Sequence, residues 1–159
     1  MNKSKTRFSR IVSAVNRNPG IRYSELVRIC QVPKSTMLYY TEKMIKTGTV
    51  KVRKKQRECR FFPSSQINNH EKAILVALRK KGHRKILFFI KEKEGHFSEI
   101  CRHIGLAPST TSHKLDSLVR AGIVEFRYKN KIKIFKIKDP TITLRTIKQY
   151  QDWIKITER

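Results

Sequence analysis

Two kinds of residue cluster in this chain could do chemistry. Lys54-Lys55-Gln56-Arg57 and Lys129-Asn130-Lys131 gather cations within a few consecutive positions. Lys34-Ser35-Thr36 and Ser109-Thr110-Thr111-Ser112-His113-Lys114 put short hydroxyls and nitrogen donors at the start of helical stretches. Clustered cations suit a polyanion, because each one neutralises a phosphate and releases its counterions. Short hydroxyls let a helix approach closely while they bond to phosphate oxygens or base edges. The whole chain repeats the bias: 37 Lys+Arg against 12 Asp+Glu in 159 residues, a formal charge of +25. The excess is spread, with 19 basic and 4 acidic side chains in residues 1–80 and 18 and 8 in residues 81–159. Both halves are therefore candidates for contact with nucleic acid.

Other chemistries find no residues arranged for them. Cys30, Cys59 and Cys101 are an odd number at wide spacing, with no C-x-x-C pair. Cys101 and His103 make a lone C-x-H, short of a four-ligand zinc set. His70, His83, His96 and His103 form no triad or metal spacing, and the carboxylates do not pair into an acid/base site. No glycine-rich phosphate loop and no nucleophile elbow is present. The expectation is a non-enzyme with no cofactor, no metal and no small-molecule ligand. The apolar run Ile86 to Ile90 is bracketed by Lys85 and Lys91, far short of the roughly 20 residues of a membrane span. The basic start, Met1 to Arg10, lacks an apolar stretch after it. The expected location is the cytoplasm, on the nucleoid, with no membrane partner.

The elements that hold these clusters recur at an offset of 74 residues. Ser24, Glu25, Arg28, Ser35, Thr36, Gly48 and Val50 coincide with Ser98, Glu99, Arg102, Ser109, Thr110, Gly122 and Val124. Each copy opens with a helix, carried by Phe8, Ile11, Val12 and Val15 and stopped at Asn18-Pro19-Gly20, or carried by Ile86, Phe89 and Ile90 and stopped at Gly95. A short helix follows, Ser24 to Cys30 and Ser98 to Ile104, whose inward positions include Cys30 and Cys101. Free cysteine is a small hydrophobe there. After a tight turn a third helix runs from about Lys34 to Thr47 and from about Pro108 to Ala121. Met37, Met44 and Ile45 form its apolar stripe in the first copy, and Leu115, Leu118 and Val119 in the second. Glycine closes each one. Two strands then flank each cationic tip, Thr49 to Arg53 with Cys59 to Phe62, and Ile123 to Tyr128 with Ile132 to Ile137. In the last strand Ile132, Ile134 and Ile137 alternate with Lys131, Lys133, Lys136 and Lys138.

Helix, helix-turn-helix, then a β-hairpin with a basic tip is the order of a winged helix-turn-helix. The stretch Phe97 to Ile100, Gly105 to Leu115 and Leu118 to Val124 resembles the core of MarR- and ArsR-type regulators. Tyr23 to Leu26, Pro33 to Met37 and Met44 to Val50 are similar, departing at Thr41 where that pattern usually has leucine. The ending Arg60-Phe61-Phe62-Pro63 and the two copies resemble archaeal tandem winged helix-turn-helix proteins. The implied fold is mainly α with small β-hairpin wings. The expected divisions are a first module over 1–66, a linker helix over 67–82, a second module over 83–138 and a C-terminal helix over 139–159. In such a module the third helix enters the major groove. Lys34, Ser35, Thr36, Tyr39 and Lys43 are the candidate contacts of the first copy, and Ser109, Thr110, Ser112, His113 and Lys114 those of the second. Arg53, Lys54, Lys55, Arg57, Lys129 and Lys131 are the candidate wing contacts to phosphate or the minor groove. Lys51 to Arg60 holds six basic residues and one acid, which marks the first wing as the stronger electrostatic footprint.

Two helices lie outside the repeats. Asn68 and Glu71 have capping-box spacing at the start of a helix to Lys81, which is expected to join the modules. The last helix starts at Asp139-Pro140 and carries Leu144, Ile147, Tyr150, Trp153 and Ile154 in one stripe. That stripe must be buried, either on the linker helix or against a second copy in a homodimer. The leading expectation is a transcription regulator that binds double-stranded DNA. The alternatives are a non-specific architectural binder and a protein-docking module of the transcription or replication machinery.

Overall fold

The order of the elements follows from where turns and glycines interrupt the apolar periodicity. The computed structural model describes residues 3–55 and 57–151. It divides into two units, Met1–Ile67 and Asn68–Arg159. The first unit contains α1 (Lys3–Arg17), β1 (Ile21–Arg22), α2 (Tyr23–Cys30), α3 (Lys34–Lys46), β2 (Val50–Lys55) and β3 (Glu58–Pro63). The second contains α4 (Asn69–Leu78), α5 (Lys81–Glu92), β4 (Gly95–His96), α6 (Phe97–Ile104), α7 (Pro108–Arg120), β5 (Val124–Lys129), β6 (Ile132–Ile137) and α8 (Pro140–Gln149). The order from α5 to β6 repeats that from α1 to β3. Each unit has a three-stranded antiparallel sheet, β1-β3-β2 in one and β4-β6-β5 in the other.

The recurring glutamates start the short helices. The Arg22 backbone N–H donates to Glu25 Oε2 at 3.0 Å, and that of His96 to Glu99 Oε2 at 3.2 Å. A carboxylate there satisfies an amide that has no helical acceptor and faces the positive end of the helix dipole. Gly48 and Gly122 end α3 and α7 with φ of +66° and +71°, in open space. Only backbone strain then opposes a side chain. Gly122→Ala is expected to lose about 1 kcal/mol of stability, read as a lower urea midpoint with an unchanged slope.

The third helices show an internal exchange. α3 buries Met37 and Thr41, and α7 buries Thr111 and Leu115 at the matching positions. The bulky and hydroxylic residues trade places one helical turn apart. Each buried hydroxyl donates to its own helix, Thr41 Oγ1 to the Leu38 carbonyl at 2.9 Å and Thr111 Oγ1 to the Ala107 carbonyl at 3.1 Å. The departure at Thr41 is thereby accommodated.

Several expectations are corrected. Ile45 is not part of the first core and stands 47% exposed. Val119, its counterpart, packs on the second core. Ile132 and Ile134 do not share a face with Ile137: the register sets Phe135 and Ile137 inward, opposite Phe126 and Val124. α5 ends at Glu92, before Gly95, which pairs in β4 with Phe135. A Cβ at Gly95 would come within 2.6 Å of the Phe89 ring. The helix expected through Lys81 stops at Leu78, and a new one starts at Lys81.

α4 packs on α5 and α8 within the second unit. Asn68 caps it, its side chain accepting from the Glu71 N–H at 2.8 Å. α8 places Ile147 in the second core with Ile142 and Tyr150 against it, and leaves Leu144 exposed. Asp139 caps this helix by accepting from the Ile142 N–H at 3.1 Å. Trp153 and Ile154 lie outside the described residues.

Candidate nucleic-acid interface

The third helix and the hairpin tip of each unit carry the candidate residues. In α3, Lys34, Ser35, Tyr39 and Lys43 are exposed and Thr36 is half-buried. Two of these side chains are engaged with neighbours. Tyr39 packs edge-on against Tyr40 with ring centroids 5.3 Å apart, and Lys43 Nζ lies 5.5 Å from the centre of the Phe8 ring. Leu38, 53% exposed, and Ile45 give one flank of α3 an apolar character.

In α7, Ser109, Thr110, Ser112 and His113 are exposed on the side opposite buried Thr111, Leu115 and Leu118. Lys114 is placed differently from the others. Its stem lies across Gly82 so closely that a Cβ on that glycine would meet Lys114 Cε at 2.5 Å. The structure therefore brings four α7 candidates onto one face and turns Lys114 towards α5.

The first hairpin carries Lys54, Lys55 and Arg57, all exposed and outside every ion pair among the described residues. Lys54 and Lys55 belong to β2 rather than to the loop. Arg60, counted in the basic run, is not available to a phosphate. It is 4% exposed, donates from Nη1 to the Gly20 carbonyl at 2.8 Å and pairs through Nε with Glu58 at 3.0 Å. Arg53 is half-buried and sits directly across the sheet from Arg60.

The second hairpin turns at Asn130 and Lys131, both with positive φ, as a two-residue hairpin loop requires. Lys129 and Lys131 are exposed there. The sequence reading missed the aromatic character of this hairpin. Tyr128 is 68% exposed, beside Phe126 at 6.0 Å between ring centroids, and Lys133 Nζ stands 3.7 Å from the centre of the Phe126 ring. The alternation of Phe126 and Tyr128 was the available signal, but it reads equally as an ordinary buried strand. Arg127 is neutralised by Glu94 at 2.7 Å, and this hydrogen bond holds the Glu94 carboxyl below its usual range. Burial pushes the Cys30 thiol up, as suits a core cysteine.

The segment from α5 to the start of β5 contains the helix pair and the turn between them. Residues 80–125 match the family model described as bacterial regulatory protein, arsR family. This ArsR-like segment is less than half of the chain. Among solved structures, HlyU from Vibrio cholerae N16961 is 18% identical with a TM-score of 0.46, covering 54% of this chain and 95% of its own. The transcriptional repressor BigR from Xylella fastidiosa is 23% identical with a TM-score of 0.46, covering 52% and 85%. The homodimeric winged helix-turn-helix DNA-binding domain of Mb0332 from Mycobacterium bovis is 18% identical with a TM-score of 0.48, covering 57% and 85%. No curated protein matches the chain. Among the described residues no helix is long and apolar enough to cross a membrane, and no group of three or more His, Cys, Asp or Glu could hold a metal ion.

Proposed function

We propose that this protein is a transcription regulator that binds double-stranded DNA with two winged helix-turn-helix modules. α3 and α7 enter the major groove, and the two hairpin tips engage phosphates or the minor groove. The observation that carries this reading is the exposed Ser109, Thr110, Ser112 and His113 face of α7 within the ArsR-like segment. The net charge of +25 supports it. The α7 residues select the site, and the free cations Lys54, Lys55, Arg57, Lys129 and Lys131 supply affinity. Exposed Leu144 on α8 supports a homodimer through the C-terminal helix, to be read from the mass in solution with Leu144→Glu as the control.

The two roles separate by mutation. Lys55→Ala is expected to weaken all duplexes alike and to lower the salt slope by about one. Ser112→Ala and His113→Ala are expected to change the ranking of duplexes. Selection of sites from a random duplex pool, followed by titration at several salt concentrations, checks both. Failure to enrich any sequence would favour the architectural reading that the overall charge also supports. The apolar flank of α3 at Leu38 and Ile45 favours a second role for the first unit, docking another protein. Ile45→Ser is then expected to leave duplex affinity within about twofold, a change of under about 0.5 kcal/mol, and to abolish that docking.

A further inference from the structure

We propose that the first turn of α5, with Lys80, His83, His113 and Lys114 around it, forms an oxyanion site that takes a phosphate group. The turn supplies amides. The first helical hydrogen bond is from Arg84 N–H to the Lys80 carbonyl at 2.9 Å, and no side chain caps the helix. The N–H groups of Lys81, Gly82 and His83 therefore precede the ladder, at the positive end of the dipole.

The second observation is His83 itself. It is the third residue of α5 and is 8% exposed, and neither ring nitrogen has a hydrogen-bond partner among the described residues. A buried imidazole with both nitrogens unpaired is costly, and a ligand oxygen would satisfy one of them. The charged and titratable groups near enough to act on its ring are Lys80 ahead of the helix, and Lys114 and His113 from α7. With burial they hold the ring neutral, down to about 4, and neither lysine ammonium can accept a hydrogen bond. Lys114 lies along Gly82, so its ammonium reaches the same turn. An anion would offset the repulsion within this set. The first unit has Thr6, Ser9, Tyr39 and Tyr40 at the matching positions, so the site is particular to the second unit.

Two sources of phosphate fit this chemistry, a DNA backbone group beside α7 and free inorganic phosphate. The site does not depend on the DNA reading; only the first source does. The test follows the ring protons of His83 by NMR in the full chain, assigned with His83→Gln, in chloride and in inorganic phosphate at equal ionic strength. Phosphate is expected to raise the His83 titration midpoint by about one pH unit or more, and Lys114→Gln to remove at least half of that rise while leaving the ring in place. A duplex that produces the same rise identifies the backbone as the source. A rise with phosphate but not with bound duplex assigns the site to the free ion. A rise with phosphate in a chain that binds no duplex sinks the DNA reading and leaves the site standing. A midpoint unmoved by both, or a rise untouched by Lys114→Gln, overturns the proposal.

Discussion

Glu58→Ala is expected to destabilise the first unit by about 2–3 kcal/mol, below the full range for a broken buried pair because the carboxylate is partly open to solvent. The reason is a row of three arginines. The register of the sheet sets Arg22 in β1 and Arg53 in β2 on either side of Arg60 in β3. Like charges placed directly across strands repel, and the central one is nearly all buried. Glu58 neutralises two of the three: it pairs with Arg22 and accepts from Arg60 Nε at 3.0 Å. Without it, the buried guanidinium keeps the Gly20 carbonyl at 2.8 Å but has no counterion among the described residues. The second unit supplies the control, because Ile132 and Ile134 occupy the positions of Glu58 and Arg60. A double variant, Glu58→Ile with Arg60→Ile, removes the buried charge together with its counterion and is expected to recover at least half of the loss. Hydrogen exchange reads the effect locally. Amides of β1 to β3 should lose protection in Glu58→Ala, regain it in the double variant, and leave those of α5 to α7 unchanged. Equal loss in the single and double variants would show that Glu58 acts by packing rather than by charge.

This row also shows what kind of information the chain yields when read linearly. The 74-residue offset made the helices and hairpins legible, because recurring glutamates, glycines and apolar stripes mark the same boundaries twice. Boundaries set by local chemistry, such as Asn68 with Glu71 or Asp139 with Pro140, could be read directly. Features set by pairing across the sheet could not. β1 and β4 are two residues each, too short to show a period. Arg60 counted as one more cation in a basic run until the register turned it inward. Ile45 and Val119 hold equivalent places, yet only Val119 packs on a core. For the candidate interface, exposure of Ser109, Thr110, Ser112 and His113 followed from the helical period. The turn of Lys114 towards Gly82 did not, since it depends on how α7 crosses α5. His83 offered no spacing motif, and its surroundings arise wholly from that crossing.

His83 makes the second unit sensitive to acid, and the size of the effect is the other large expectation. Burial first, then Lys80, Lys114 and His113, lower its pKa from 6.5 to about 4. The unfolded chain therefore binds a proton below about 6.5 that the folded chain refuses until about 4. Stability must rise with pH across that window and fall as the pH drops through it. Converted at 1.36 kcal/mol per unit, the loss between pH 6.5 and pH 4.5 approaches about 2–3 kcal/mol. The lowered carboxyls of Glu94 and Glu99 act in the opposite region. Their contribution is present above their unfolded value of 4.5 and is lost as pH falls below it. The upper part of the interval, from 6.5 to about 5.5, therefore isolates the histidine from both. Urea unfolding in a phosphate-free buffer, with hydrogen exchange reporting on α5 and α7, is expected to show the loss. His83→Gln, which has no proton to take up, is expected to flatten most of it. Adding inorganic phosphate should restore part of the wild-type stability at pH 5 and none in His83→Gln. An oxyanion at the first turn of α5 would offset the charge that acid forces onto the buried ring, so the same side chain links the acid limit of the fold to occupancy of the site.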